Sequence, residues 1–432
     1  MVLYHPFLFN PEFMRLTEDF RNKALQWANT FPYCCVLDSN GYADLYGKYD
    51  LLIAAGASVL VEAGTGNAFG QLKACYTDRS DWFFGILGYD LKNELESLES
   101  TNPDGLNFPE LSFFSPEYLI IAEGGNLRVA IGNPETLNTI NELVTTEPTA
   151  TNDRNIEVQS GMTKSQYMEK IQKLQAHIAR GDVYEVTFCQ EFYAEKTSID
   201  PLATYQRLNK TSPTPFSGYL KLEDKYLLCA SPERFLRKQG TKLISQPIKG
   251  TAKRSHDPHE DERIKAQLGE DLKEQTENVM IVDLVRNDLT KSAVPASVQV
   301  KEQFGVYSFP QVHQMISTIT CEIDPEVHAI DAIRNTFPMG SMTGAPKVRA
   351  MQLIEGYEES KRGAYSGAMG YLSPDGDFDL NVVIRSMLYA KDNQYLSFQV
   401  GSAITAASSP EKEYEECMLK ASAIIETIKG PQ

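Results

Sequence analysis

Thr163-Lys164-Ser165-Gln166-Tyr167 and Tyr184-Glu185-Val186-Thr187-Phe188-Cys189-Gln190-Glu191-Phe192 decide how this chain folds. The first is a capping box, with a threonine hydroxyl and a glutamine three residues on to satisfy free backbone amides. Tyr167, Ile171, Leu174 and Ile178 then recur at helical spacing, and Gly181 is placed to stop the helix. The second stretch alternates. Tyr184, Val186, Phe188, Gln190 and Phe192 fall on one face of a strand, and Glu185, Thr187, Cys189 and Glu191 on the other. The chain is therefore predicted to mix helix and strand. Gln190 shares a face with large apolar side chains, so its amide needs partners, either structural groups or a ligand.

Further along, a strand over Lys225 to Ala230 runs into Ser231-Pro232-Glu233-Arg234-Phe235. After a hairpin-like segment, Lys242-Leu243-Ile244-Ser245 leads into Gln246-Pro247-Ile248-Lys249-Gly250-Thr251. Pro247 cannot donate to a sheet, and Gly250 allows a turn where a side chain would crowd. Lys249 reads either as a solvated surface charge or, if pocketed and partly desolvated, as an amine that sheds its proton and acts as a nucleophile. Glu233 and Lys249 lie at the ends of apparently neighbouring strands, as a plain ion pair or as an acid beside an amine.

Two glutamate pairs need a cation. Glu274 and Glu277 lie on the same helical stripe as Ile281, Leu284 and Val285. After Ser409-Pro410, a helix start, Glu413, Glu416 and Lys420 share a face beside Cys417 and Ile424. Carboxylates that continue an apolar stripe repel each other unless a cation holds them. With few histidines and no thiol cluster, the pattern points to a hard, oxygen-seeking ion such as magnesium. The alternative is two unrelated helix edges carrying salt bridges.

Gly340-Ser341-Met342-Thr343-Gly344-Ala345-Pro346-Lys347 is a glycine-bearing turn entering a helix, a place where anions bind. It is not a nucleotide P-loop, because Pro346 intrudes and no Ser or Thr follows Lys347. Arg385 ends a buried-looking strand, Tyr365 sits in Arg362-Gly363-Ala364-Tyr365, and Gln399-Val400-Gly401-Ser402-Ala403 offers small residues where backbone can approach a ligand. His313 reads equally as a core histidine or a proton carrier.

The frame around these motifs is ordinary for a soluble globular protein. The chain has 432 residues, 42% hydrophobic and 23% charged, enough for two or three domains. A net charge of -17 argues against nucleic acid or an anionic membrane as the main partner. Seven cysteines without CxxC or zinc spacing fit reduced thiols. No basic leader and no bilayer-spanning apolar run is present, which suggests the cytoplasm. Trp82 to Asp90 reads as a buried strand ending in a turn. The polar stretch from about Asn133 to Ser160 reads as a linker, giving an N-terminal region over 1–150 and a catalytic domain over 160–430.

From Thr163 to Lys429 the ordered motifs resemble the chorismate-utilising enzymes. These comprise component I of anthranilate and aminodeoxychorismate synthases together with the isochorismate and salicylate synthases. The resemblance rests on Ser231 to Phe235, Glu277-Asn278, Asp283 to Leu289, and Gly344 to Met351. It implies an α/β (α+β) fold with a layered antiparallel sheet core flanked by helices, and a magnesium-dependent site for the dianion chorismate. By motif position, Glu277 and Glu416 would bind the metal, helped by Glu274 and Glu413. Arg385, Tyr365, Lys420 and the amides of Gly401, Ser402 and Ala403 would hold carboxylates, with Ser341 and His313 near the ring. Isochorismate and salicylate synthases carry a lysine base at the position matched to Gln190, and glutamine cannot serve as that base.

Anthranilate synthases carry alanine where Lys249 stands. A lysine in Pro-Ile-Lys-Gly-Thr marks the branch that aminates chorismate at C4, with Lys249 attacking C2 and Glu233 as general acid. The implied pathway leads to 4-aminobenzoate and folate. The alternatives are the anthranilate branch and a catalytically silent chorismate-binding subunit. Gly401-Ser402-Ala403 departs from a more glycine-rich family stretch. Val36-Leu37-Asp38-Ser39 matches the family's tryptophan-sensing motif poorly, so no tryptophan feedback is expected. No Gly-x-Cys-x-Gly glutaminase elbow occurs, so ammonia would come from solution or from a glutamine amidotransferase subunit.

Overall fold

A computed structural model describes residues 14–144 and 156–429. Two large antiparallel sheets face each other. In the first, the strand order is Gly344–Ala345, Glu185–Ala194, Tyr395–Ile404, Ser386–Ala390, Lys225–Ser231, Phe216–Leu222, Tyr33–Asp38, Leu51–Ala55, Tyr118–Glu123 and Asn126–Ile131. The second runs Ile248–Lys253, Val312–Glu322, Lys242–Gln246, Arg234–Gln239, Phe378–Val382, Ala368–Leu372, Phe83–Leu87, Leu111–Ser115 and Val59–Ala63. This is the layered antiparallel core flanked by helices that the motifs imply.

Apolar residues from both sheets, among them Leu52, Ala54, Leu220, Phe84, Ile86, Leu236 and Leu380, form one buried layer. A second layer, including Ile53, Phe188, Tyr219 and Phe398, packs the other face of the first sheet against helices Glu18–Asn29, Lys164–Ala179, Pro201–Thr211 and Pro410–Lys429. With both faces covered, Glu185–Ala194 is buried almost throughout, so its alternation does not separate a wet face from a dry one. The capping box at Thr163 and Gln166 forms as its sequence predicts.

The expected division near residue 150 lies outside the described residues. Strands from either side of it join the same two sheets, the early ones as a block at one end of each. Tyr33–Asp38 pairs with Phe216–Leu222, and Phe83–Leu87 pairs with Ala368–Leu372, so the first third contributes to both sheets. Among the described residues no helix is long and apolar enough to cross a membrane.

Pro247 shapes the region around Lys249. Lys242–Gln246 and Ile248–Lys253 run beside the same strand, the first opposite Ile319 to Glu322 and the second opposite Val312 to Ile316. They form one line of strand broken where proline cannot donate, and Ser317 N–H donates to the Pro247 carbonyl at 3.2 Å. Gly250, at φ +91°, supplies the left-handed turn immediately after Lys249, with the Glu274 side chain close against it.

Candidate active site

Lys249 is buried, and its amine hydrogen-bonds and ion-pairs with Glu185. Glu185 is 0% exposed and its Oε2 has no hydrogen-bond partner. Desolvation alone would lower the proton affinity of Lys249. Glu185, Glu277 and Glu233 oppose that, and the amine is held above its ordinary range. Burial therefore does not free this amine as isolated desolvation predicts, because it brings carboxylates with it.

Glu233 stands just before the strand whose Arg234 pairs with Gln246, and so reaches the Pro247 break and Lys249. Burial pushes its carboxyl up to about 7, opposed by Ser341, Lys249 and Arg385. That range suits a group that is to give up a proton near neutrality. Ser341 belongs to the Gly340–Met342 turn, and its buried hydroxyl faces the Glu233 carboxyl. Arg385 sits at φ 50°. Burial pushes its guanidinium down, and Glu233 opposes the fall.

The two acidic pairs share one neighbourhood. Glu277 is buried on the Leu272–Thr290 helix in line with Ile281 and Val285, and Glu413 is buried on Pro410–Lys429. Lys273 feels Glu277, Glu413, Glu274 and Glu416, and its Nζ lies 3.7 Å from Glu277. Burial pushes Glu277 up to about 7 and also raises Glu274. Glu416 is different. Burial would raise it, but Lys420, Lys273 and Lys249 together hold it below the ordinary range. Lys420 bonds Glu416 at 2.7 Å and donates to the Gly401 carbonyl at 3.1 Å.

Among the described residues, no three His, Cys, Asp or Glu side chains close into a metal cage. Magnesium does not require one, since it takes one or two carboxylates and fills its shell with water and substrate oxygens. Glu277 Oε1, buried without a hydrogen bond, is the kind of oxygen a hard cation would satisfy.

Two expected site residues lie elsewhere. Gln190 is five residues from Glu185 on the same strand, so the pleat sends it to the opposite face. There it donates to Cys417 Sγ at 3.2 Å and accepts from Ser160 Oγ at 3.1 Å. His313 is fully buried with both ring nitrogens occupied, Nδ1 by Ser308 at 2.9 Å and Nε2 by Asp261 at 3.0 Å. Gly401 and Ala403 pair with Cys189 and Thr187 on the Glu185 face, whereas Ser402 pairs with Phe188 on the Gln190 face. A Cβ at Gly401 would come within 2.4 Å of Cys189 Sγ, so the small residue is needed for strand contact. Tyr365 is buried, its hydroxyl 3.9 Å from the Cys189 thiol.

Arg362 was not singled out by its sequence context, yet it holds this wall together. Its guanidinium bonds Glu358 twice, at 2.6 and 2.9 Å, and donates to the Met342 and Thr187 carbonyls at 2.6 and 2.8 Å. It lies over the Tyr89 ring at 4.5 Å, and Asp90 accepts from Gly363 N–H at 3.0 Å. The first third thus buttresses the Arg362–Tyr365 turn. Lys347 folds back onto Asp288 and the Thr336 and Pro338 carbonyls rather than facing an anion. A cavity of ≈280 Å³ bordered by Asp38, Ser39, Asp44, Arg234, Met369 and Asn381 does not include Lys249 in its lining.

Residues 38–426 match the family of chorismate binding enzymes, and the chain belongs to that family. It is 37% identical to aminodeoxychorismate synthase component 1 of Salmonella typhimurium over 80% of this chain and 76% of that one. With the Escherichia coli protein of the same name, identity is 33% over 92% of this chain and 94% of the relative. The crystal structure of anthranilate synthase component I from Streptococcus pneumoniae superposes with a TM-score of 0.77 at 25% identity, covering 89% of this chain and 94% of that one. The chain is a chorismate-utilising enzyme.

Proposed function

We propose that this chain is component I of an aminodeoxychorismate synthase, converting chorismate and ammonia to 4-amino-4-deoxychorismate. The observation that carries the reading is the buried Lys249 amine beside Glu233, a nucleophile and an acid on one wall. The names of the two relatives above support it.

Lys249, as the neutral amine, bonds to C2 of chorismate. The two ring double bonds shift by one place, and the C4 hydroxyl leaves as water with the proton of Glu233. Ammonia adds at C4 in the reverse sense, returning a proton to Glu233 and expelling the lysine amine. Arg385 and Lys420 supply positive charge for the two substrate carboxylates, and Tyr365 and the Gly401 to Ala403 backbone shape the wall. Magnesium, when bound, would neutralise substrate charge, and Glu277, Glu416, Glu274 and Glu413 would hold it.

A glutamine amidotransferase subunit is the partner that would deliver ammonia, and the cytoplasm is the expected compartment. The test is to incubate the purified chain with chorismate, magnesium and an ammonium salt, with and without aminodeoxychorismate lyase. Lyase-dependent 4-aminobenzoate supports the reading. Anthranilate as the product would assign the chain to the other branch, and no turnover, even with an amidotransferase supplied, would mark a silent subunit.

A further inference from the structure

A protonated lysine has no lone pair, so an attacking Lys249 needs a base. Five carboxylates act on it: Glu185, Glu277 and Glu233, together with Glu274 and Glu416 on the two acidic helices. Glu233 is the group that must carry a proton to the leaving hydroxyl. Glu277 and Glu274 share Lys273, and Glu416 is bonded to Lys420. Glu185 alone of the five makes a hydrogen bond to the amine.

Glu185 is also built to stay where it is. Its strand is anchored on both sides: Tyr184 N–H donates to the Ala345 carbonyl at 2.7 Å, and Thr187 N–H to the Thr343 carbonyl at 2.8 Å. Arg362 grips the Thr187 carbonyl from the same side. The carboxylate is fully buried with one oxygen on Lys249 and the other bonded to nothing. The hydrogen bond already in place gives the Nζ proton a direct path to that carboxylate.

We propose that Glu185 takes the proton from Lys249 before the attack on C2 and holds the freed amine in line. The proton moves from Nζ to Glu185 Oε1, leaving a neutral amine and a carboxylic acid. The amine lone pair then forms the bond to C2. When ammonia has displaced the lysine, the released amine takes the proton back. This inference rests on the nucleophilic reading of Lys249 and adds to it the residue that sets the charge state of that amine.

Above neutrality the loss of the Glu233 proton lowers kcat in every variant alike, so the pH dependence is read as each variant's kcat relative to the unaltered enzyme at the same pH. The experiment measures kcat and KM for chorismate between pH 7 and 9.5 in the full chain and in Glu185→Gln, Glu185→Asp and Lys249→Ala, with thermal melting to check folding. Glu185→Gln is expected to lower kcat about 100-fold at pH 7.5 with KM little changed. That ratio should then climb about tenfold per pH unit as hydroxide replaces the lost base. Glu185→Asp should hold the ratio constant with pH and restore part of the rate. A ratio near one at every pH in folded Glu185→Gln overturns the inference, as does a Glu185→Asp ratio that climbs like that of Glu185→Gln. Aminodeoxychorismate formed at the full rate by Lys249→Ala would instead overturn the nucleophilic reading beneath it.

Discussion

Arg362 Nη2 donates to the Thr187 carbonyl at 2.8 Å, which ties the strand carrying Glu185 to the turn carrying Tyr365. The same guanidinium reaches the Met342 carbonyl beside Ser341. Three walls of the site thus meet on one buried cation. Arg362→Ala should leave Glu358 buried without its partner and cost about 3–5 kcal/mol in a denaturant titration. Arg362→Lys should recover little, because one ammonium cannot reproduce the planar fork. Equal stability of Arg362→Lys and the parent would show that the fork does not matter.

Glu233 makes a pH prediction whose sign follows from linkage. Its native pKa, about 7, lies above the ordinary 4.5, so between those values the native state holds more proton than the unfolded chain. Its contribution to stability therefore falls as pH rises from about 4.5 to 7. Glu233→Gln removes that loss. The stability of the variant relative to the parent should improve by roughly 3 kcal/mol across the window, at 1.4 kcal/mol per tenfold change in proton affinity. Activity should move the other way, with kcat down about 100-fold or more for want of a proton donor. Parallel stability curves for the two proteins would contradict the burial of this carboxyl.

For the acidic helices the readout is binding. Magnesium should raise the melting temperature of the parent, by about 2.7 kcal/mol of stabilisation at a hundredfold excess over Kd. Glu277→Gln should lose most of that shift, and Glu416→Gln a good part of it. Identical shifts in parent and Glu277→Gln would place the ion elsewhere.

Gln190 is a control for the two faces of its strand. Its amide is satisfied by Ser160 and Cys417, away from Lys249. Gln190→Ala should cost roughly 1–3 kcal/mol by stranding those partners, with KM for chorismate changed less than twofold. A large rise in KM would put the side chain back in the substrate site.

The chemistry was more legible than the geometry. Glu233, Lys249 and the two acidic pairs were read from their setting, a carboxylate continuing an apolar stripe and a lysine between proline and glycine, and the structure gathers them. Glu185 was not read as a site residue. Periodicity shows that a strand has two faces, and here both are buried, so nothing in the pattern says which face meets Lys249. Gln190 entered the expected site through its match to the family's lysine position, and its side chain lies on the face opposite Glu185. Arg362 escaped notice because its partners, Thr187, Met342 and Tyr89, are far away in the chain. The proton affinity of Lys249 turned on neighbours as well as burial, and only tertiary structure supplies neighbours.

Because each sheet is completed by a block of early strands set beside a late one, neither is whole until distant parts of the chain have met. Phe83–Leu87 waits for Ala368–Leu372, and Tyr33–Asp38 waits for Phe216–Leu222. Such long loops make for slow assembly, with open strand edges exposed on the nascent chain during synthesis. Cutting the chain between its first third and the remainder should therefore yield two fragments that aggregate apart and recover the enzyme only when they fold together.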